Sequence, residues 1–444
     1  MNVSESLKAL SSIFIDHGFS LYLVGGAVRD YLLSKPSHDY DFTTDARPEE
    51  IKSMFRHTID TGIKHGTVTV LFKGESYEIT TFRTESDYSD SRHPDSVTFV
   101  RSLSEDLKRR DFTINAFALD ISKGEIIDEH GGFEDLKNGV IRAIGNPEER
   151  FKEDALRIMR AARFSAKLGF KIEENTKNAM TKLSSTIKKV SEERIREELF
   201  RLIDSPFPRL GLKNMEDTGL MEEILPELYS CKTIEGDGYH KENLLEHHIL
   251  ALEEAKNLNA PLTVKIASLL HDIGKVKTQR KVDGKTTFYS HEIIGSEMVA
   301  SIMGRLKSSN KDRDDVALLV REHMIQYSSS WSDGAIRRMI VRVGKDNLDN
   351  LFLLRECDRK ATLALPDSFN DDELKHRINK ELDASPALTL KDLKINGNDI
   401  STLTGKGPLT GKVLKSLLEM VIDDPTLNKR EILLERAKKI VTEA

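Results

Sequence analysis

Two aspartates close to a glycine turn have the spacing that metal chemistry requires. The apolar run Leu21–Val24 predicts a strand, Gly25-Gly26 a sharp turn, and Ala27–Leu33 a helix that begins on exposed backbone N–H groups. Asp39 and Asp41 come next, and in a second strand they would point to one side because side chains alternate. Two carboxylates beside a phosphate-binding turn predict Mg²⁺ shared with a nucleoside triphosphate. A surface turn is the alternative interpretation of an isolated DxD sequence.

A basic cluster further along the chain supplies candidate phosphate ligands. Two strand-like runs, 66–72 and 76–82, flank a turn at Lys73-Gly74-Glu75 and predict a hairpin, with Glu78 in its second strand. The polar segment Arg83–Val97 predicts a mobile loop. Arg110 and Asp111 precede an apolar stretch that we interpret as a helix, and Arg110 can pair with phosphate in a fork geometry. A solvated charge run is the alternative.

The segment Glu148–Leu168 predicts one long helix that ends at Gly169. Neighbours three apart share a helix face, so Asp154 and Arg157 could act together, whereas Arg163 would meet another partner. A carboxylate beside a guanidinium complements the pairing edges of cytosine and adenine, and uracil and guanine leave both groups mismatched. An ordinary surface ion pair is the alternative.

Histidines and aspartates recur later in a pattern typical of metal ligands. His247 lies on a predicted helix, His271-Asp272 at a helix end, and His291, His323 and Asp358 follow. This order resembles the HD phosphohydrolase superfamily. The resemblance implies that His247, His271, Asp272 and Asp358 bind one divalent ion, with His291 and His323 available to a second. Imidazoles and carboxylates suit Mn²⁺, Ni²⁺, Co²⁺ or Fe²⁺. A degenerate HD fold kept for packing or RNA contact is the alternative.

Composition narrows the class of protein. The chain has 444 residues, 38% hydrophobic and 32% charged, which favours several helix-rich domains. No apolar run could span a bilayer, and the N-terminus does not resemble a signal peptide. The two cysteines have no metal or disulfide spacing, which favours a reducing, cytoplasmic location. The net charge of −6 requires any RNA-binding surface to be a local patch, and Lys406, Lys412 and Lys415 in the tail are candidates.

The motifs GGAVRD (25–30) with DYD (39–41), RRDFTINA (109–116) and EDALR (153–157) together resemble the class II bacterial CCA-adding enzymes and poly(A) polymerases, which are tRNA nucleotidyltransferases and their relatives. The resemblance implies transfer of CMP and AMP from CTP and ATP to a tRNA 3′ end with Mg²⁺ as cofactor. It implies catalytic roles for Asp39, Asp41 and Glu78. It also implies a nucleotide-binding set, which is Gly25, Gly26, Arg29, Arg110, Asp111, Asp154, Arg157, Arg160 and Arg163.

The family resemblance sets the expected architecture. We expect a multidomain α+β protein whose polymerase-β-like nucleotidyltransferase head, with a small mixed sheet, is followed by an all-α neck, an HD body and a tail. The predicted divisions are 1–140, 141–235, 236–365 and 366–444. Family features in the loop Arg83–Val97, namely Asp90, Arg92 and Pro94, favour complete CCA addition. The alternatives are an A-adding or CC-adding enzyme, a poly(A) polymerase, or a metal-dependent phosphohydrolase with a vestigial RNA-binding head. We expect the protein to bind tRNA, CTP and ATP and not to associate with a membrane.

Overall fold

The computed structural model describes residues 4–36, 40–63, 66–86, 96–235, 243–362, 371–384, 386–405 and 407–442. The chain divides into two compact units. Unit 1 comprises Met1–Ser230 with Arg305–Lys307, and unit 2 comprises Cys231–Gly304 with Ser308–Ala444. In the described part of the chain, no helix has the length and apolar character needed to cross a membrane.

Unit 1 combines a mixed sheet with helices, as the sequence predicted. Its strands are β1 Leu21–Val24, β2 Asp41–Thr44, β3 Thr58–Gly62, β4 Thr67–Phe72, β5 Glu75–Thr81, β6 Arg83–Ser86, β7 Ser96–Phe99, β8 Ala118–Asp120, β9 Glu125–Ile127, β10 Val140–Ile141 and β11 Lys171–Ile172. Its helices are α1 Glu5–Asp16, α2 Gly26–Leu32, α3 Pro48–Met54, α4 Leu103–Lys108, α5 Gly132–Asn138, α6 Pro147–Glu153, α7 Leu156–Leu168, α8 Glu174–Leu183, α9 Glu192–Ile203, α10 Pro208–Asp217, α11 Leu220–Ile224 and α12 Pro226–Ser230.

The seven-stranded sheet has the order β3-β4-β5-β2-β1-β8-β9. β2 and β5 run parallel, and β1 is antiparallel to both β2 and β8. Phe42 and Ile79 are paired across β2 and β5 and are both buried, so the sheet register is fixed by the core face. The predicted β1 strand and the β4–β5 hairpin are confirmed.

The structure corrects three local predictions for unit 1, the first of them only at the two ends of the segment. The ends of the predicted loop Arg83–Val97 form an antiparallel pair, β6 with β7; its residues Asp90, Arg92 and Pro94 lie outside the described residues. The stretch after Asp111 forms a 3₁₀ turn at Thr113–Asn115 and then strand β8, because β8 pairs with β1 far away in sequence.

The predicted helix Glu148–Leu168 is also wrong, since it is interrupted at Asp154. Asp154 has extended backbone angles (φ −139°, ψ 104°) and ends α6. Its side chain accepts a hydrogen bond from the backbone N–H of Leu156 at 3.0 Å. A short acidic side chain competes with the helix in this way and favours its start or end.

Unit 2 is almost entirely helical. Its helices are α13 Leu244–Asn257, α14 Leu262–Leu270, α15 Lys275–Thr278, α16 His291–Arg305, α17 Asn310–Glu322, α18 Asp333–Val343, α19 Leu348–Ala361, α20 Asp371–Asp383, α21 Gly397–Thr404, α22 Pro408–Asp423 and α23 Arg430–Thr442. One hairpin, β12 Arg280–Val282 with β13 Lys285–Thr287, precedes α16. The last three helices share a core that includes Ile400, Leu417 and Leu433. Asn396 caps the N-terminus of α21, where its side chain accepts from the backbone N–H groups of Asn398 and Asp399.

Gly274 joins the end of α14 to α16 by close backbone contact. A Cβ at this position would lie 2.1 Å from the His291 carbonyl oxygen and 2.7 Å from the Gly295 nitrogen. We expect Gly274→Ala to lower the free energy of unfolding of unit 2 by about 1–3 kcal/mol or more, because backbone atoms must shift. Thermal and denaturant unfolding measure the effect.

Gly304→Ala is the matched control within the same unit. A Cβ at Gly304 would meet no atom within 4 Å, so this variant should be neutral or slightly stabilising. Equal stability of both variants would contradict the close contact at Gly274.

Candidate functional site

The glycine turn and the carboxylate Asp41 lie side by side because β1 and β2 are neighbours. Val24 at the end of β1 is paired with Asp41 at the start of β2. Gly25 follows with φ +71°, a conformation that favours glycine. A Cβ on Gly25 would lie 3.4 Å from Arg110 Nη1 and 3.7 Å from Asp41 Oδ2. Because Gly25 has no side chain, the Arg110 guanidinium and the Asp41 carboxylate can both approach the backbone of the turn. Asp39 lies outside the described residues.

Glu78 is positioned beside Asp41 by the parallel strands. The two residues are direct partners in the β2–β5 register, so their side chains leave the same face of the sheet. Both side chains are exposed. This is the arrangement in which carboxylates from adjacent strands can share a hard divalent cation.

A pocket of about 500 Å³ is lined by Asp41 and by all nine predicted nucleotide-binding residues. The described lining is rich in cations; it consists of Gly25, Gly26, Arg29, Asp41, Arg109, Arg110, Asp111, Asn115, Asp154, Leu156, Arg157, Arg160, Arg163, Phe164, Lys167, Arg194 and Arg201. Such a surface attracts polyanions, and its carboxylates hold the cations apart in fixed positions.

Asp111 is the buried carboxylate that fixes Arg160. It accepts hydrogen bonds from Arg160 Nε at 2.8 Å and from Asn115 Nδ2 at 3.0 Å. Burial alone would raise the pKa of Asp111, but the charge of Arg160 and the Asn115 hydrogen bond lower it to about 2. Asp111 is therefore ionised and supports the arginine wall from behind.

Arg29 and Arg110 line the pocket in different ways. Arg29 is buried and donates to Asp30 Oδ1 at 2.9 Å and to Asn115 Oδ1 at 2.5 Å, so much of its hydrogen-bonding capacity is already used. Arg110 lies 3.4 Å from Asp106, which is fully buried. Burial lowers the pKa of Arg110, and the Asp106 charge opposes that effect. Its Nε is buried without a described hydrogen-bond partner, which indicates room for an added acceptor.

Asp154 and Arg157 both reach the pocket, and each is held by its own partner. The Asp154 carboxylate accepts from Arg194 Nη2 at 2.8 Å. Arg157 donates to Glu153 at 2.7 Å and to the Arg109 carbonyl at 3.0 Å. The break between α6 and α7 turns Asp154 toward α9, so the helix-face geometry expected from their spacing does not apply.

Arg163 meets a different partner from Asp154, as predicted. It forms a buried ion pair with Glu198 of α9 and lies over the Phe164 ring at 4.0 Å. Arg160 is also 3.8 Å from Glu198. Glu198 thus ties two arginines of α7 to α9 and closes one side of the pocket.

Several lining residues were not predicted from the sequence: Arg109, Asn115, Lys167, Arg194 and Arg201. Arg109 belongs to the basic cluster that contains Arg110, so proximity was an available signal. Arg194, Glu198 and Arg201 are spaced by four and three residues and therefore share one face of α9. Charged residues that recur on one face of α9 were the signal that could have identified Arg194 and Arg201 as lining residues.

Unit 2 brings all six predicted HD residues together in one cluster, in which five residues are buried and Asp358 is half-buried. They form two groups, His247 with His271 and Asp358, and Asp272 with His291 and His323. Asp272 touches both groups, with Oδ2 3.5 Å from His271 Nε2 and Oδ1 3.0 Å from His291 Nε2. The grouping differs from the predicted four-ligand site, because Asp272 faces the second group as well as the first.

The hydrogen bonds of the histidines fix the orientation of three imidazole rings in the cluster. Nδ1 of His271, His291 and His323 each faces a backbone carbonyl, and a proton on Nδ1 leaves the Nε2 lone pair pointing at carboxylates. Lone pairs facing carboxylates repel unless a proton or metal ion lies between them. Burial would lower the pKa of His271, but the charges of Asp272 and Asp358 raise it to about 9. The two carboxylates therefore favour a proton on this imidazole.

The candidate RNA-binding lysines of the tail are only partly described. Lys412 and Lys415 are exposed on one side of α22, opposite the buried Val413 and Leu417. Lys406 lies outside the described residues. Their role in binding RNA stays a prediction.

The low pKa of Asp111 makes stability depend on pH in a defined direction. A carboxylate with a lowered pKa stabilises the fold above its ordinary value of 3.8, and this contribution is lost as pH falls towards about 2. We expect Asp111→Asn to lower the free energy of unfolding at neutral pH by about 2 kcal/mol and to flatten its decline in acid. Denaturant unfolding at a series of pH values measures both, with Asp16→Asn, exposed on α1, as control. An unchanged acid slope in Asp111→Asn would contradict the ion pair with Arg160.

Three segments match known families. Residues 21–142 match the Poly A polymerase head domain. Residues 169–231 match the family described as a probable RNA and SrmB-binding site of polymerase A. Residues 242–363 match the HD domain.

Two relatives that match over nearly their whole length are CCA-adding enzymes. A CCA-adding enzyme of Ligilactobacillus salivarius (strain UCC118) is 39% identical over 430 residues, covering 96% of this chain and 94% of that protein. That of Enterococcus faecalis (strain ATCC 700802 / V583) is 37% identical, covering 95% and 92%. The crystal structure of the Bacillus stearothermophilus CCA-adding enzyme in complex with CTP superposes with a TM-score of 0.71 at 30% identity and covers 100% of both chains. The chain described here therefore belongs to the family of CCA-adding enzymes, which are tRNA nucleotidyltransferases.

Proposed function

We propose that the pocket of unit 1 adds CCA to the 3′ end of tRNA from CTP and ATP without a nucleic-acid template. The observation that carries this proposal is the joining, in one pocket, of the strand-end carboxylate Asp41, a wall of arginines and the pair Asp154 and Arg157. Full-length similarity to CCA-adding enzymes supports the same reaction. It also argues against a vestigial head attached to a phosphohydrolase. We place the protein in the cytoplasm, where tRNA, CTP and ATP occur together.

Nucleotidyltransferases of this family use divalent metal ions, and we propose Mg²⁺ here. Asp41, Glu78 and, from the sequence, Asp39 would hold it, since oxygen ligands are those that Mg²⁺ prefers. Bound Mg²⁺ would neutralise phosphate charge and activate the tRNA 3′ hydroxyl as a nucleophile. The exposed carboxylates of Asp41 and Glu78 on the same sheet face leave space for such an ion.

The arginines of the pocket bind the triphosphate. Arg110 has a buried Nε without a described partner and lies against the glycine turn, so it is placed to donate to a phosphate oxygen. Arg160, held by Asp111, adds a second guanidinium. Arg29 acts mainly by position, since Asp30 and Asn115 already use its donors.

Asp154 and Arg157 select the base. The Asp154 carboxylate already accepts from the Leu156 N–H and from Arg194, and a carboxylate has further lone pairs for an exocyclic amine of cytosine or adenine. Arg157 can donate to the adjacent ring nitrogen. Uracil and guanine would place a carbonyl against Asp154 and an N–H against Arg157, which leaves buried polar groups unsatisfied. Arg194 keeps Asp154 in orientation from the other side.

The primary test supplies purified protein with tRNA that lacks CCA, together with CTP, ATP or both. We expect two C residues from CTP alone and a terminal A only when ATP is also present. Addition of A to tRNA that ends in CC, with no C added to tRNA that lacks CCA, would establish the A-adding alternative. A product that stops at CC would establish the CC-adding one.

We predict that Asp154→Ala relaxes base choice while triphosphate binding changes little. Loss of one mismatched contact should reduce the preference for CTP over UTP by about tenfold or more. Competition between labelled CTP and UTP measures the ratio, and the KM for CTP reports on phosphate binding. Glu193→Ala, exposed on α9, is the control. A variant that stayed fully selective for C and A would overturn the role of Asp154.

We further propose that the cluster of unit 2 binds divalent transition-metal ions and hydrolyses phosphate esters. Its support is the arrangement of buried Nε2 atoms against carboxylates, with Asp272 in contact with both groups. Mn²⁺, Ni²⁺, Co²⁺ and Fe²⁺ suit these donors. Phosphomonoesters and 2′,3′-cyclic phosphates, including a damaged tRNA end, are the proposed substrates.

The two-group geometry predicts how metal content changes with each ligand. Asp272→Asn should remove metal from both groups, because Asp272 belongs to the second group and its Oδ2 lies 3.5 Å from His271 Nε2 of the first. His323→Ala should empty the second group alone. Elemental analysis after loading with Mn²⁺ measures the ratio of metal to protein. His376→Ala, exposed on α20, is the control and should retain full metal content. Equal metal content in Asp272→Asn and wild type would contradict the shared ligand.

A further inference from the structure

The hairpin formed by β12 and β13 carries positive charge without acidic partners. Lys277, Arg280, Lys281 and Lys285 are all exposed, and Asp283 is the one acid among residues 277–287, which leaves a local net charge of +3 against −6 for the whole chain. Among the described residues, none of these four cations forms an ion pair. Two cations of α17 give a contrast within the same unit: Lys311 is paired with Asp315 and Arg313 with Asp314.

The geometry of the hairpin distributes this charge over both of its faces. Asp283 and Gly284 have φ of +49° and +78°, as in the tight turns that connect two-residue hairpins. The register pairs Arg280 with Thr287 and Val282 with Lys285 on one face and leaves Lys281 on the other. No residue of either strand is buried. A two-stranded hairpin that packs on no core gains little stability by itself, so its surface is available for a partner.

The hairpin begins and ends next to the histidine cluster. β12 starts eight residues after Asp272, and β13 ends four residues before His291. Asp272 and His291 are 3.0 Å apart at the cluster, so both ends of this segment start from its rim. The Phe288 carbonyl faces His291 Nδ1 at 2.8 Å, and Lys275 lies over the Phe288 ring, which anchors the base of the hairpin to the cluster.

Tyr289 adds an exposed aromatic ring at the same place. Its side chain is 77% exposed, the highest value among the large hydrophobic residues described. Unpaired cations combined with an exposed aromatic ring are the features by which proteins bind single-stranded nucleic acid, since the cations contact phosphates and the ring stacks on a base.

We propose that the hairpin β12–β13 and Tyr289 form a binding surface for an RNA strand at the rim of the histidine cluster. RNA is favoured over an acidic peptide because the surface offers both evenly spread cations and a stacking ring. The choice of tRNA as the RNA rests on the proposed function of unit 1. The consequence is that the cluster of unit 2 receives phosphates carried on RNA, such as a strand end, in preference to free nucleotides.

Binding of the full-length protein to tRNA that lacks CCA tests the surface. The variant Arg280→Ala/Lys285→Ala removes one arginine and one lysine from the hairpin. We expect about tenfold weaker binding at low salt, and a shallower dependence of log affinity on log salt by about one to two units, because two phosphate contacts are lost. Fluorescence anisotropy over a salt series measures both.

A matched variant and an aromatic pair sharpen the test. Lys311→Ala/Arg313→Ala removes the same residue types from α17, where acids neutralise them, and should leave affinity and salt dependence unchanged. Tyr289→Ala should weaken binding several-fold, whereas Tyr289→Phe, which keeps the ring, should not.

The possible results separate this proposal from the function of unit 1. Unchanged tRNA affinity and salt dependence in the hairpin variant, or an equal loss in the α17 control, would overturn the proposal. Lost binding to anionic phospholipid vesicles with unchanged tRNA affinity would assign the cations to a membrane surface and also overturn it. Nucleotide incorporation at saturating tRNA is measured in parallel. If it were absent from wild type while the hairpin variants still bound tRNA more weakly, CCA addition would fail and the RNA surface would stand.

Discussion

The nucleotide pocket of unit 1 crowds nine cationic side chains around about 500 Å³, and buried carboxylates hold them in place. Like charges at this density repel strongly unless each has an acidic neighbour nearby. Asp111 forms an ion pair with Arg160, Asp106 with Arg109 and Arg110, and Glu198 with Arg163. Asp106 lies in α4 and Asp111 just after it, both in the predicted head, whereas Glu198 lies in α9 of the predicted neck. The pocket therefore requires head and neck to fold as one unit. The remaining positive charge is what a triphosphate can neutralise.

Sequence patterns predicted this site unevenly, and the failures have a physical cause. Alternation and glycine placement are local signals, so β1, the turn at Gly25 and the β4–β5 hairpin were predicted correctly. Residues 148–168 contain good helix formers, and nothing local revealed that Asp154 would end α6 and turn to Arg194, forty residues away. Strand β8 depends likewise on pairing with β1. Contacts between distant segments decided each of these cases.

The histidine cluster shows the same limit. The order of histidines and aspartates along the chain predicted which six residues lie together. Their division into two groups depends on how α13, α14, α16, α17 and α19 cross, and residue spacing contains no record of those crossings. Asp272 lies close to both groups because it directly follows His271 at the end of α14 and faces the first residue of α16.

The spread of these ligands along the chain also sets when a metal could act during folding. The six residues span 247 to 358 and lie at five helices, so closing the cluster requires long loops to be ordered first. A metal ion could not nucleate unit 2; it would bind a fold already assembled by its apolar core and stabilise that fold by mass action. Metal supply would then govern how long the folded unit persists, while the rate at which it forms would be set by the chain alone.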